Sequence, residues 1–215
     1  MTSPLVGRSK NPKDFSGGGG CLVDRPPPTR LATLADLPTK GEVKDGDMTN
    51  EDFASLIARF GAAATAGDGL SLAQCFTEDG VYFDYIYGPH RGRASIQDML
   101  ENLFHRDAAE YDWTFFDPVV SGDIGYARSL SRFVSTIPEF KGNEVVIDGI
   151  SRFVLKDGLI AEYHESVNGG VAQSQLGVPA ERMAKVMAKW TQRFREQADV
   201  EAYAAAARAR YIGGG

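Results

Sequence analysis

Tyr82 and Asp84 stand two residues apart in Val81-Tyr82-Phe83-Asp84-Tyr85, a run that reads as a strand. A strand turns residues i and i+2 to one side, so a phenol and a carboxylate are offered together. Glu165 follows Tyr163 at the same spacing in Glu162-Tyr163-His164-Glu165. Groups of these types move protons. A carboxylate takes a proton from substrate or water, and a phenol positions that water or a substrate oxygen. Each acid also has a plain structural role open to it. Asp84 is equally suited to end a strand by accepting turn amides. Glu165 is equally suited to an ion pair with Arg128 or Arg132, because a buried acid needs a partner. In a catalytic site the same arginines would keep Glu165 ionised. Tyr82 and Tyr163 also serve as amphipathic wall residues.

The elements that must position these groups are legible in the hydrophobic pattern. Thr49 is placed to cap a helix, with Asp52 three residues later. Phe53, Leu56, Ile57, Phe60 and Ala64 then follow helical spacing until Gly67-Asp68-Gly69 breaks it. A short helix is expected over 70–76, a strand over 80–87 and an amphipathic helix from Ser95 to His105. From Tyr111 the pattern turns to strands, expected at 112–120, 124–137, 144–155 and 159–167. Ser121-Gly122-Asp123 and Lys156-Asp157-Gly158 supply two of the turns. Pro179 suits the first turn of a last helix, whose stripe is Met183, Val186, Met187, Trp190 and Phe194. Such a stripe reads as packing or dimer contact. Helices followed by a strand meander make an α+β plan with an antiparallel sheet.

Residues 1–47 differ from the rest. They hold six of the ten prolines, the run Gly17 to Gly20 and a single aromatic residue, Phe15. This composition predicts a flexible tail, within which Leu31, Leu34 and Leu37 form a short apolar stretch. The expected organisation is therefore a tail over 1–47, a domain over 48–178, and a C-terminal helix and tail over 179–215.

The chain has 215 residues, 43% hydrophobic, with a net charge of −6. That balance argues against a nucleic-acid partner, which would require a basic footprint. No apolar run is long enough for a membrane span, and no secretory leader is visible at the start. The two cysteines, Cys21 and Cys75, make neither a disulfide framework nor a metal spacing, so a cytoplasmic setting is expected. The three histidines show no ligand spacing either. His105 reads as a cap, His164 as facing away from the cavity, and His90 as a rim residue in Gly88-Pro89-His90-Arg91-Gly92. No metal and no cofactor are expected.

Phe76-Thr77-Glu78-Asp79-Gly80-Val81-Tyr82-Phe83-Asp84-Tyr85 resembles the first helix-to-strand junction of the nuclear transport factor 2-like superfamily. SnoaL-like cyclases, ketosteroid isomerases, scytalone dehydratases and limonene-epoxide hydrolases share that fold. The resemblance implies a cone-shaped curved antiparallel sheet wrapped around N-terminal helices, with an apolar ligand pocket at its mouth. Tyr82 and Asp84 resemble the Tyr-x-Asn pair that holds the attacking water in limonene-epoxide hydrolases. Glu165, at the end of Lys156 to Glu165, matches the water-activating Asp. Asn168-Gly169-Gly170-Val171-Ala172 is similar to the exit of that strand in SnoaL-like proteins. The strand Tyr126 to Val134 offers Arg128 and Arg132 but has Leu130 or Val134 where that family has its proton-donating Asp. Asp148 or Tyr82 would then be the acid. The ketosteroid isomerases suggest a different role for Asp84, as a general base, with Asp148 near their oxyanion-hole Asp; the oxyanion Tyr has no match on the first helix. The resemblance thus implies acid–base catalysis on an apolar small molecule, with epoxide hydrolysis first. Isomerisation, cyclisation, dehydration or ligand binding without turnover are the alternatives. His90, Tyr163, Phe60 and Trp113 are expected to contact the ligand, and a homodimer is expected.

Overall fold

A computed structural model of the chain describes residues 48–212. The expected tail over 1–47, with its leucine stretch, lies outside the described residues. The helices α1 (Asn50–Ala66) and α2 (Gly69–Gln74) come first. Thr49 caps α1 by accepting the Asp52 amide at 3.1 Å, and Gly67 ends it at φ 70°, a left-handed conformation that costs glycine little. The ring of His105 lies with Nε2 2.9 Å from the Ala64 carbonyl, so this histidine caps α1 rather than its own helix.

Among the described residues six strands follow: β1 (Phe76–Asp84), β2 (Gly88–Arg91), β3 (Ala108–Ser121), β4 (Ile124–Ser135), β5 (Glu144–Lys156) and β6 (Leu159–Val167). They form one sheet in the order β2-β1-β6-β5-β4-β3. Its ladders are antiparallel except one. Strand β1 runs parallel to β6, with Tyr82 beside Tyr163 and Phe83 beside His164. A hairpin cannot make that pair; helix α3 (Arg93–Met99), a π-helical turn (Leu100–Phe104), the short α4 (His105–Asp107) and strands β3 to β5 all intervene. Strand β3 bends twice, with positive φ at Glu110 and Asp117 and a register shift near each. Bulges of this kind curl a sheet, and the curl receives α1.

Phe60 is the centre of that packing. It is wholly buried, and the rings of Phe76, Tyr82, Trp113, Phe115, Phe153 and Tyr163 surround it at centroid distances of 5.1–6.4 Å. The helix can come this close because Gly61 lacks a side chain; a Cβ there would lie 2.7 Å from the Trp113 carbonyl oxygen. Expected as a ligand contact, Phe60 is instead a core residue below the cavity. A phenylalanine one turn after Leu56 and two after Phe53 on a buried stripe has no free face to offer.

Helix α5 (Gly169–Leu176) begins where only a strand exit was expected, because Asn168 accepts the Val171 amide and caps it. Helices α6 (Ala180–Arg195) and α7 (Ala198–Ile212) take the place of the single expected C-terminal helix. Among the described residues no helix is long and apolar enough to cross a membrane.

Replacing Phe60 by Ala should cost about 3–5 kcal/mol of stability. A urea unfolding midpoint measures this. A midpoint within error of the wild type would contradict the core assignment.

Candidate active site

A cavity of about 330 Å³ opens between the sheet, the loop after β1 and the C-terminal helices. Trp113, Ser131 and Phe133 reach it from the sheet, and Tyr85, Ile86 and Tyr87 from the loop after β1. The opposite wall comes from the C-terminal helices, through Leu176, Val186 and Trp190. Helix α6 is held there by its half-buried stripe Met183, Val186, Met187 and Trp190. Trp190 meets Tyr85 edge to face at 4.5 Å. It also presses on Gly169, where a Cβ would come within 2.4 Å of its ring. Arg193 donates to the Ile86 carbonyl at 3.3 Å.

Asp84 and Glu165 both line this cavity. The parallel register explains why. One step beyond the Phe83–His164 pair, Asp84, the last residue of β1, comes beside Glu165 of β6, on strands that run about 4.8 Å apart. Their surroundings differ. The Ile86 and Tyr87 amides both donate to Asp84 Oδ1, the first at 2.8 Å. Glu165 has only the Tyr163 hydroxyl, which donates to Oε2 at 3.4 Å and itself lies 2.9 Å from Ser151 Oγ.

Protonation follows from this asymmetry. Burial, reinforced by the Asp84 charge, pushes the Glu165 carboxyl up to about 8, and the Tyr163 hydrogen bond only partly opposes it. Burial also raises Asp84, but the Tyr87 and Ile86 amides and His90 pull it back. The donors thus favour the negative charge on Asp84 and the proton on Glu165. Tyr82 is wholly buried, its hydroxyl has no partner, and burial followed by the Glu165 charge holds its phenol well above the usual range.

The remaining expected site residues divide by strand parity. On β4 the inward side chains are Ala127, Ser129 and Ser131, so Arg128 and Arg132 point outward. Arg128 pairs there with Asp148 at 3.0 Å, and Arg132 with Glu144 at 2.9 Å and Glu110 at 3.2 Å. Neither arginine reaches Glu165, so the expected ion pair is not formed, and Asp148 is not in the cavity. Long charged side chains take the face that water reaches. His90, expected to contact the ligand, does not line the cavity; it lies in register with Tyr82, with Nδ1 3.4 Å from Ser95 Oγ and Nε2 buried without a partner. Tyr163 stands behind Glu165, wholly buried. Trp113 lines the cavity, is 6% exposed, and has an unpartnered Nε1. His164 stacks on Phe83 at 4.1 Å, on the other face of the sheet. Among the described residues no group of three or more His, Cys, Asp or Glu side chains is placed to hold a metal ion.

Sequence reasoning missed Ser131, Phe133, Tyr111 and the whole wall from α5 and α6. The β4 residues were legible in principle: Ala127, Ser129, Ser131 and Phe133 share the parity opposite to the arginines. The stripe on α6 was visible, but nothing in it says what it covers.

Residues 57–163 match the family described as the SnoaL-like domain. No protein of curated function matches the sequence. Among solved structures, TsrD from Streptomyces laurentii superposes with a TM-score of 0.55 at 21% identity, over 62% of this chain and 100% of that one. IdmH from Streptomyces antibioticus, described as a candidate polyketide cyclase, gives 0.50 at 21% identity, over 61% and 100%. An LEH-like epoxide hydrolase from M. tuberculosis gives 0.50 at 13% identity, over 59% and 90%. At these identities the likeness is one of fold.

The Glu165 proton has a consequence for stability. The folded carboxyl titrates near 8 and the unfolded one near 4.5, so the folded state holds the extra proton between those values. Stability therefore falls as pH rises across that window. Relative to a Glu165→Gln variant, which has no proton to lose, the wild type should lose on the order of 2–4 kcal/mol between about pH 5 and pH 8.5. Denaturant unfolding of both proteins at the two pH values measures it, and a pH-independent difference would count against the buried proton.

Proposed function

We propose, for a chain that belongs to the SnoaL-like family within the nuclear transport factor 2-like superfamily, that this cavity performs acid–base proton transfer on an apolar carbonyl compound. The observation that carries the reading is the pair of side-by-side carboxyls, one hydrogen-bonded as an anion and one buried as an acid. Asp84 takes a proton from the carbon next to the carbonyl. Glu165 gives its proton to the carbonyl oxygen, so an enol forms and no net charge builds up in the cavity. The enol hydroxyl then returns its proton to Glu165 as Asp84 delivers its own, either to the far carbon of a conjugated double bond, which is isomerisation, or to the oxygen of a second carbonyl that the enol carbon attacks, which is ring closure. Groups held this way contribute about 10²–10⁴-fold each to rate. Trp113 Nε1, which has no partner of its own, adds a donor for the oxygen.

Epoxide hydrolysis is the second reading. Asp84 would activate water, and Glu165 would protonate the opening oxygen, replacing the acid that β4 lacks. The likeness to the LEH-like epoxide hydrolase supports it. A predominantly apolar cavity roofed by α6 favours the first reading, because hydrolysis needs a stationed water. We also propose that the chain pairs with a second copy through the outer face of the sheet. Phe116, Tyr126, Val146 and Ile150 are all exposed there, and a patch of this kind marks an interaction surface.

The deciding experiment is solvent-deuterium exchange next to the carbonyl in a panel of apolar ketones, with wild type, Asp84→Asn and Glu165→Gln. The Asp84→Asn side chain keeps an oxygen for the Ile86 and Tyr87 amides, so the loop should hold. Exchange by wild type, reduced at least ~100-fold in either variant and declining above pH 8 as Glu165 ionises, is the expected result. No exchange, together with labelled diol formed from lipophilic epoxides in heavy-oxygen water, would move the assignment to hydrolysis. Neither activity would leave ligand binding without turnover.

A further inference from the structure

We propose that the cavity contains a second polar subsite, formed by Gln173 on α5 and Arg182 on α6, which holds a carboxylate at the far end of an apolar ligand. Both residues line the cavity, and both lie beyond residues 57–163, the part matched by the family. Gln173 Nε2 is shut off from solvent and makes no hydrogen bond. A buried donor without an acceptor is costly, and in a ligand cavity the natural acceptor is the ligand. Arg182 is the one cation among the described residues that line the cavity.

The geometry puts these two groups on the same wall. Gly169 at the start of α5 touches Trp190 late in α6, and only Gly177, Val178 and Pro179 separate the two helices, so both contribute to one wall. Gln173, Val186 and Arg182 all line the cavity from these two helices. The guanidinium sits over the Phe140 ring at 5.5 Å and donates to Glu139 Oε2 through a single nitrogen at 2.7 Å. Both partners of that ion pair are about half exposed, 55% and 54%. Such pairs are weak, so the rest of the guanidinium fork is free to take a carboxylate, a charge-assisted contact. The acids Asp84, Glu165 and Asp107 also line the cavity, so Arg182 is the place where an anionic ligand group finds a complementary charge.

The ligand class that results is an oxo acid: an apolar body with a carbonyl near Glu165 and Trp113 and a carboxylate near Arg182 and Gln173. The carbonyl end rests on the acid–base reading above. The carboxylate end is tested separately by equilibrium binding, which involves no turnover.

The probes are octanoate and its neutral counterpart octan-1-ol, titrated into the full-length protein and followed by the fluorescence of Trp113 and Trp190, both in the cavity wall. The wild type should bind octanoate about ten-fold more tightly than the alcohol, as an added charge-assisted contact requires. Arg182→Met should bring the two affinities together, and Gln173→Leu should reduce the preference several-fold. Octan-1-ol should bind each variant as it binds the wild type, which shows that the cavity is intact. Lys185→Met, on the solvent side of α6, should leave the preference unchanged. Equal affinities in the wild type, a preference that survives Arg182→Met, or failure of the wild type to bind either probe would each overturn the subsite. Loss of deuterium exchange with the preference intact would instead overturn the acid–base reading alone.

Discussion

Asp84 and Glu165 share one poorly hydrated cavity, and two neighbouring carboxylates cannot both be charged there at low cost. Like charges on adjacent strands repel, and burial penalises each of them. The structure resolves this through unequal hydrogen bonding. Two backbone amides converge on Asp84, whereas a single long contact from Tyr163 meets Glu165. The charge goes where the donors are, and the proton stays on the other acid. An acid and a base are thereby prepared side by side from two groups of nearly equal intrinsic strength.

The frame around the pair exists to keep that imbalance in place. The parallel β1–β6 ladder fixes the two carboxyls in adjacent positions. Beneath them the aromatic cluster around Phe60 excludes water and fixes the ladder against α1. Above them α6 lies over the loop Tyr85-Ile86-Tyr87, whose amides hold Asp84. The loop therefore serves two purposes at once: it supplies donors to the base and a seat for the roof. Opening the roof would admit water, and the penalty that keeps Glu165 protonated would shrink.

Much of this frame was legible in the residues. Thr49, Gly67 and the spacing of Phe53, Leu56 and Phe60 define α1 before any coordinates, because capping and burial periodicity are local signals. The turns at Gly122 and Gly158 delimit the meander for the same reason. Tyr82, Asp84 and Glu165 were legible as one-sided pairs, since strand parity is also local. What escaped depends on long-range pairing. Arg128 or Arg132 was expected beside Glu165, but parity on β4 turns both to the outer face, where Asp148, Glu144 and Glu110 meet them. The expected β1 strand ran to residue 87, and it ends at Asp84 because the carboxylate itself captures the next amides. The roof was hidden because an amphipathic helix does not state what its stripe will cover.

The central claim is the proton on Glu165, and carbon-13 NMR of labelled glutamate side chains across pH tests it directly. The Glu165 signal is assigned by its loss in Glu165→Gln. A titration midpoint near 8 is expected for this carboxyl. A midpoint in the ordinary range near 4.5 would mean that Glu165 is ionised at neutral pH, and the division of roles between the two acids would be wrong.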